Sequence, residues 1–354
     1  MAIQQLATLW TPDRWFPAIA ERQATFPYLF NSKAVRRSDR LTELVSGAGT
    51  IANMPFLKDI TDQANEVQVE HTAPTTINGA PGDVVKYPIL NRVTKNSWTA
   101  MSANVSGADI MPFVWGNMAE RRLKQDQTTL VNYLRGVLGT GGAINAAAAL
   151  SDVRFGGTTA EAFIENPGVS PADQYLFSVN MFVRSKALLG ELADTLKNGC
   201  MFLHPDILAG LEILDAISFK TVEPGLASGL PFAITTYRSI PLFVSQALRR
   251  AATGGAGYVY DTYLLAEGTI GYGEKPQLGD QPDLASLSYF YDRDLNDYII
   301  WDRNRLSFSV DGVSFTGTPS ASSATDAELA TPANFALKYQ SAARCGVVAI
   351  RTNG

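Results

Sequence analysis

The sequence predicts an α+β fold, because strand-like segments and one long helix follow an irregular aromatic segment. The first observation is a segment rich in proline and aromatic residues, from Trp10 to Phe30. The second is a hairpin whose strands, Val67–Val69 and Val84–Leu90, flank a polar tip. The third is a long helix with a charged middle, from about Met111 to Leu138. This order of parts suits a subunit that grips its neighbours better than one that closes around a substrate.

Residues 1 to about 60 are predicted to be irregular, with short helices only. Prolines interrupt any long helix in this segment: Pro12, Pro17, Pro27 and Pro55. The same segment carries large aromatic side chains that a disordered tail would lack: Trp10, Trp15, Phe16, Phe26, Tyr28, Phe30 and Phe56. We therefore expect the segment to pack on its own domain or on a neighbouring subunit.

Residues 65–102 are predicted to form strands. Val67 and Val69 alternate with polar residues, which is the period of a half-buried strand. A β-favouring composition continues after a turn, from Val93 to Met101. The tip between the strands, Pro74 to Gly82, is long for a hairpin. A projecting hairpin exposes backbone edges, and an unpaired edge invites pairing with another chain.

The long helix is predicted to run from about residue 109 to residue 138. Ser106 and Asp109 are good N-cap residues, and glycine follows the helix at Gly139. Apolar residues form two stripes along it: Ile110, Val114 and Met118, then Leu123, Leu130, Leu134 and Val137. At ~1.5 Å per residue, ~28 residues span ~42 Å. Such a helix can act as a strut across a whole domain.

The remaining chain alternates shorter helices and strands. A helical region is expected at about Phe177 to Leu196, and a helix starts at Pro205, since proline favours the first helical position. The expected strands are Cys200–Leu203, Pro231–Thr236, Ile240–Val244, Tyr258–Leu265, Leu287–Tyr291, Tyr298–Val310 and a closing strand Cys345–Thr352. The small and polar segment from Gly317 to Ala333 is expected to be a loop.

Composition narrows the class of protein. The chain has 354 residues, a net charge of -5 and a pI of about 5.2, and a sequence-specific nucleic-acid binder usually needs a basic face. The short basic cluster Arg36, Arg37 and Arg40 is typical of a solvated surface. Two cysteines make no disulfide framework and indicate a reducing compartment. The N-terminus does not resemble a signal peptide, and no apolar run is long enough to predict a membrane span.

Motifs for catalysis or metal binding are not found in the sequence. The two histidines, His71 and His204, belong to no zinc motif, and no phosphate-binding lysine loop or nucleophile elbow occurs. The acidic cluster Asp292, Asp294, Asn296 and Asp297 is not an EF-hand, because Asp297 and Arg303 stand where glycine and glutamate are needed. We therefore predict a polar turn there. We predict a protein that is not an enzyme and has no catalytic, cofactor-binding or metal-binding residues.

Four stretches of the chain resemble the major capsid proteins of tailed bacteriophages, of the Hong Kong ninety-seven type whose fold herpesviruses share. They are FVWGNMAERRLKQDQTTLVNYLRGVL, LLGELADTLKNGCMFLHPDILAGL, AITTYRSIPLFVSQALRR with YVYDTYLLAEGTIGYG, and SATDAELATPANFALKYQSAARCGVVAIRTN. The resemblance covers residues 26 to 352, and it lies in the order and spacing of the stretches. Two positions depart from the family pattern: Ser309-Val310 replace His-Pro, and Glu191 replaces aspartate after Leu189-Gly190.

The resemblance implies a division of the chain and a structural role. Residues 1–64 would be an N-terminal arm, and residues 65–102 an extended loop over a neighbouring subunit. Residues 103–199 would be a peripheral domain with a spine helix at 109–138, residues 200–275 an axial domain, and residues 276–354 further peripheral strands and the C-terminal segment. The subunit would assemble as hexamers and pentamers into an icosahedral shell around double-stranded DNA.

The implied partners and location follow the same resemblance. The subunit would bind copies of itself, a scaffolding protein, a portal protein and a decoration protein, and it would contact packaged DNA without sequence preference. It would assemble in the host bacterial cytoplasm and reside in the virion, with no cofactor and no membrane.

Two alternatives remain open at this point. One is an encapsulin-like nanocompartment, which has the same fold but encloses a cargo enzyme. The other is a soluble α+β enzyme, which the missing histidine, cysteine and phosphate-loop motifs disfavour. Some relatives in the capsid family join a loop lysine covalently to a neighbour's asparagine. Since the tip from Pro74 to Gly82 holds no lysine, and Lys86 and Lys95 lie lower on the strands, we expect no such cross-link.

Overall fold

The computed structural model places two large β-sheets and one long helix around a shared core. It describes residues 29–47, 49–57, 82–99, 111–139, 152–154, 177, 179–222, 234–251, 258–275, 287–292, 297–339 and 342–352. Most of the predicted arm, the strand Val67–Val69, the hairpin tip and His71 lie outside the described residues. So do the predicted N-caps Ser106 and Asp109.

The described helices and strands are numbered in chain order. The helices are α1 Asp39–Ser46, α2 Met111–Leu138, α3 Val179–Ala187, α4 Pro205–Leu214 and α5 Asp326–Ala330. The strands are β1 Val35–Arg37, β2 Ile51–Leu57, β3 Gly82–Thr99, β4 Asp152–Arg154, β5 Cys200–Leu203, β6 Phe219–Val222, β7 Ile234–Tyr237, β8 Ile240–Val244, β9 Arg249–Ala251, β10 Tyr258–Leu265, β11 Ile270–Glu274, β12 Leu287–Asp292, β13 Asp297–Val310, β14 Val313–Phe315, β15 Phe335–Leu337 and β16 Val347–Thr352.

The first sheet has six strands in the order β1-β11-β13-β3-β2, with β12 also paired to β13. Its centre is the long antiparallel pair β3 and β13, in register from Thr99 opposite Asp297 to Ile89 opposite Ser307. The predicted turn before Val93 is wrong, because β3 is one continuous strand of 18 residues. Its first half pairs with β2, which corrects the prediction that the first 60 residues contain no strand. Pro55 is tolerated in β2 because that strand lies at the edge of the sheet.

The second sheet has eight strands in the order β4-β16-β10-β5-β8-β7-β6, with β9 also paired to β10. Strand β10 lies between β16 and β5, and nearly all of its side chains are buried. Strand β5 is apolar and buried at every position, as expected of a strand covered on both faces. The predicted bounds of β5, β8 and β10 are confirmed to the residue. The closing strand starts at Val347, since Ala342–Cys345 form a 3-10 turn before Gly346, whose φ is +67°.

Two predicted segments are divided or replaced by other elements. The helical region at 177–196 is α3 followed by a 3-10 helix, Gly190–Lys197, and Gly190 adopts a φ of +55° between them. The predicted loop from Gly317 to Ala333 contains helix α5. The side chain of Thr325 accepts a hydrogen bond from the amide of Glu328, whose carboxylate accepts one in return from the amide of Thr325. This capping box starts α5.

Helix α2 delivers a row of fully buried side chains to the core. The second predicted stripe is confirmed, since Leu123, Leu130, Leu134 and Val137 are all buried. Tyr133, on the same helix, stacks edge-on against Phe335 with ring centroids 5.3 Å apart. The same core cluster includes side chains from both large sheets, such as Phe308 of β13 and Tyr263 of β10. Within the described part of the chain, no helix is long and apolar enough to cross a membrane.

Candidate assembly surfaces and the helix–sheet junction

Helix α2 is fastened to both sheets by polar contacts as well as by its apolar face. Near its middle, Arg122 forms an ion pair with Glu274 of β11 in the first sheet. Near its end, Arg135 donates to Asp261 of β10 in the second sheet, at 3.2 Å, and to the carbonyl of Ala247, at 2.7 Å. Polar contacts therefore connect this helix to both sheets. This arrangement agrees with the strut that the sequence predicts.

The first attachment is a buried polar group that we call the junction cluster, formed by Arg122, Asp126, Glu274, Asp302 and Asn304. Arg122 and Asp126 lie one turn apart on α2, and the other three come from β11 and β13. The amide nitrogen of Asn304 donates to both carboxylate oxygens of Asp126, at 3.2 Å each. Arg122 also lies 3.5 Å from Asp302. The charged middle of the helix is therefore divided, with Arg122 and Asp126 buried and Arg121 and Lys124 exposed.

Burial controls the protonation of this cluster. The pKa of Asp126 is raised to about 7, chiefly because burial removes water from the carboxylate. Arg122 and the hydrogen bond from Asn304 oppose that shift, while Glu274 and Asp302 add to it through charge repulsion. The pKa of Asp302 is also raised, again chiefly by burial. A cavity of about 300 Å³ lies beside the cluster and is lined mainly by polar side chains, including Arg92, Thr94, Gln125 and Asp326.

The second attachment is a single buried carboxylate, Asp261, that faces three guanidinium groups. Its oxygens lie 2.9 Å from Arg351 of β16, 3.2 Å from Arg135 of α2 and 3.7 Å from Arg250 of β9. Burial by itself would raise the pKa of Asp261, but Arg351, Arg250 and Arg135 hold that pKa below its usual range. The carboxylate therefore stays charged and joins one helix to two strands.

An exposed apolar segment ends helix α4 and continues into the 3-10 turn that follows it. Ile213, Leu214 and Ile217 are 84%, 62% and 94% exposed. A group of large aliphatic side chains left in water is typical of a surface that another protein covers. We call these three residues the aliphatic segment. Nothing in the sequence predicts it, because the apolar residues of an amphipathic helix and of an exposed helix end look alike in one dimension.

Strand β2 offers a second surface for contacts. Among the described strands it pairs with β3 alone, so that no described strand occupies its other backbone edge. Such an edge is a template for a further strand, although Pro55 removes one of the backbone donors. The sequence predicts an exposed edge at the hairpin, whose tip up to Pro81 lies outside the described residues.

One histidine and both cysteines lie within the described residues, and each is buried in the fold. His204 is the N-cap of α4, and its Nδ1 accepts a hydrogen bond from the amide of Asp206 at 3.2 Å. Burial lowers the pKa of His204, so that the neutral ring can serve as this acceptor. Cys200 and Cys345 are buried free thiols, and burial raises the pKa of each to about 12.

The remaining candidates are spread over the surface or lie partly outside the described residues. Arg36, Arg37 and Arg40 are exposed on β1 and α1. Asp292 and Asp297 lie opposite each other where β12 meets β13, while Asp294 and Asn296 fall outside the described residues. In the described part of the chain, no three His, Cys, Asp or Glu side chains converge as metal ligands would.

Comparisons with known proteins identify the fold. No protein-family model and no curated protein matches the sequence. Among solved structures, the capsid of Ralstonia phage GP4 matches with a TM-score of 0.59 and 11% identity, over 92% of this chain and 90% of that one. A native GTA particle capsid matches with a TM-score of 0.49, 12% identity and coverage of 90% and 92%. An encapsulin complex from Synechococcus elongatus matches with a TM-score of 0.44, 12% identity and coverage of 90% and 84%.

The assignment of the fold rests on the first of these structures, which alone of the three exceeds a TM-score of 0.5. The match runs over nearly the whole of both chains. It agrees with the fold that the sequence resemblance implies. The chain therefore has the fold of the phage capsid proteins.

Proposed function

We propose that this chain is the structural subunit of a capsid, which assembles with copies of itself as hexamers and pentamers into an icosahedral shell around double-stranded phage DNA. The observation that carries the proposal is the whole-chain match to a phage capsid structure. Fold alone does not define function, but a capsid subunit has no catalytic site to build. In the described part of this chain, polar groups form helix caps and ion pairs.

The contacts of helix α2 support a subunit that bears load. A shell subunit must pass force from one neighbour to the next without unfolding. Arg122 and Arg135 tie the two ends of the buried helix segment to different sheets, and Leu130 and Leu134 fill the core between them. Helix, first sheet and second sheet therefore behave as one braced unit.

The exposed features support contacts between copies. The aliphatic segment lies in the proposed axial domain, residues 200–275, and the outer edge of β2 lies in the proposed arm, residues 1–64. Both would be covered in a shell, which is the usual fate of apolar patches and open strand edges. In the same proposal, residues 65–102 lie over a neighbouring subunit, and residues 103–199 and 276–354 form the peripheral domain.

The remaining partners belong to the same proposal. A scaffolding protein, a portal protein and a decoration protein would join the subunit in the host cytoplasm and the virion. Packaged DNA would be contacted without sequence preference, since the net charge is -5. Any contact of Arg36, Arg37 or Arg40 with phosphate would weaken as the salt concentration rises.

Sedimentation of the purified full-length chain over a range of concentrations and salt tests self-assembly. We expect capsomers or closed particles in addition to free subunits. A strictly monomeric species at high concentration in every salt condition would contradict the proposal and revive the enzyme alternative.

The contents of particles purified from their natural source distinguish the two kinds of shell. Double-stranded DNA inside the particles supports a capsid. An enzyme cargo without DNA would show that the chain forms an encapsulin-like nanocompartment instead.

A further inference from the structure

The junction cluster has more negative than positive groups. Arg122 is the single guanidinium of the cluster, and it faces three carboxylates, those of Asp126, Glu274 and Asp302. Arg122, Asp126 and Asp302 are each less than a tenth exposed. With Glu274 partly exposed, a fully ionised cluster would hold an excess of two negative charges in a largely buried site between helix α2 and the first sheet, which is costly in a medium of low polarity.

The hydrogen bonds of the cluster are also incomplete. The Oδ1 atoms of Asp302 and Asn304 are buried and accept no hydrogen bond, although each can accept one. Asn304 directs its amide nitrogen to both oxygens of Asp126. Arg122 Nη1 is also buried without a hydrogen-bond partner, so the cluster is not short of donors. What the cluster lacks is a positive charge, and one proton on a carboxyl group supplies it.

We propose that the junction cluster holds one proton, on Asp126, and that loss of this proton loosens the seating of helix α2 on the first sheet. The fold thus contains a pH-sensitive contact at one of the two points where the long helix is fastened. The second fastening point, Asp261 with Arg135, carries an excess of positive charge and is not loosened by the same loss.

The other charged groups near Asp126 do not remove the imbalance. On β11, the hydroxyl of Tyr272 donates to Glu274 at 2.6 Å and brings no positive charge. Across the adjoining cavity, Arg92 of β3 is paired with Asp326 at the start of α5, at 2.7 Å. The charges of Arg92 and Asp326 cancel each other, so that Arg122 remains the single positive group facing the three carboxylates.

The direction of the pH effect follows from the pKa of Asp126. Burial, with the charges of Glu274 and Asp302, raises this pKa to about 7 in the folded chain, against about 3.9 in an unfolded chain. The folded state binds the proton more tightly than the unfolded state. The stabilisation by the proton on Asp126 is therefore complete at acid pH, below the pKa of this carboxyl in the unfolded chain. It is lost as the pH rises through about 7.

Urea unfolding of the full-length chain as free subunits, from about pH 5 to about pH 8, tests the proposal. We expect the unfolding equilibrium constant of the wild type to rise roughly tenfold or more across this range. Asp126→Asn keeps an acceptor for Asn304 but has no titrating proton, and its profile should lose most of that rise. The control is Asp194→Asn in the 3-10 helix Gly190–Lys197, a carboxylate that is 90% exposed and takes no part in the cluster, and it should keep the wild-type rise.

A second variant covers the case in which Asp126→Asn does not fold. Glu274→Gln removes one of the charges that raise the pKa of Asp126 and changes a residue that is only partly buried. The midpoint of the pH profile should move to lower pH. A wild-type rise that persists in Asp126→Asn, or an unchanged midpoint in Glu274→Gln, overturns the proposal.

Discussion

Arg135 of helix α2 lies 3.2 Å from Asp261, a carboxylate that is 2% exposed in the middle of the second sheet. The same helix reaches the first sheet through Arg122 and Glu274, about three and a half turns earlier. The long helix is thus not laid on a single surface. It is fastened at two points, and the residues at those points decide how firmly the two sheets are held together.

Removal of the carboxylate at the second point should destabilise the subunit strongly. Asp261→Asn leaves the guanidinium groups of Arg135, Arg250 and Arg351 close together without their counter-charge, and we expect a loss of about 3–5 kcal/mol in the free energy of unfolding. Arg135→Ala leaves Asp261 paired with the other two and should cost less, about 2 kcal/mol. Urea unfolding of the three proteins at neutral pH measures both losses.

The pH dependence of the free energy of unfolding provides a second test of the contribution of Asp261. The pKa of Asp261 is lowered in the folded chain, so that its contribution is present above the unfolded value of about 3.9 and is lost as the pH falls through the lowered value. The wild type should lose this contribution in acid, and Asp261→Asn should not. Equal stability of Asp261→Asn and wild type at neutral pH would show that the three ion pairs contribute nothing to folding.

A helix breaker in α2 should abolish the subunit. Leu130→Pro removes a backbone hydrogen bond and clashes with the preceding turn, at a cost of about 3 kcal/mol or more, and Leu130 is fully buried. Leu130→Met conserves volume and is the control, with an expected loss below about 1.5 kcal/mol. Solubility and particle yield after expression report the outcome. Soluble Leu130→Pro protein that forms shells would show that the strut assignment is wrong.

Charges in the aliphatic segment should block assembly without unfolding the subunit. Ile213→Asp combined with Ile217→Asp alters side chains that are already in water, so that the midpoint of urea unfolding should change little. Particle yield should fall several-fold. Ile213→Leu combined with Ile217→Leu keeps both side chains apolar, is the matched control and should leave the yield unchanged. An unaltered yield in the double variant would remove this segment from the interface.

Mature particles should dissociate into single chains. The hairpin tip from Pro74 to Gly82 holds no lysine. Of the lysines lower on β3, Lys95 lies over the ring of Trp301, with 5.2 Å between its Nζ and the ring centroid. Particles boiled in detergent should give one band near 38.2 kDa on a denaturing gel. A ladder of multiples that survives reducing agent would contradict this prediction.

Elements with a strong local pattern could be predicted from the sequence. Strands β5 and β10 are short apolar runs between turn signals, and their predicted bounds are those of the structure. Helix α2 was predicted from its apolar stripes and from Gly139. The capping box of Thr325 and Glu328 is also present as a sequence pattern, and helix α5 is predictable from it.

Strand β3 was misread because local signals there favour a break. Pro88 has no amide hydrogen and Asn91 favours turns, so that the segment looks like two strands around a turn. The structure keeps one strand because both of its neighbours supply partners. On one side Pro88 lies opposite Ile51, and on the other Ser307 donates its hydroxyl to the carbonyl of Pro88 at 2.8 Å.

The junction cluster could not be predicted at all. Arg122 and Asp126 have the four-residue spacing of an ordinary surface ion pair on a helix. Their burial depends on Glu274 and Asp302, which are distant in the sequence and are brought to them by the pairing of β11 with β13. No local pattern carries that information.

Electron microscopy of the full-length chain, expressed alone and with a scaffolding protein, tests the central claim most directly. Closed or aberrant shells, or rings of five and six subunits, are the predicted result. Fields of dispersed single subunits in both preparations, at concentrations where capsid proteins assemble, would contradict the account.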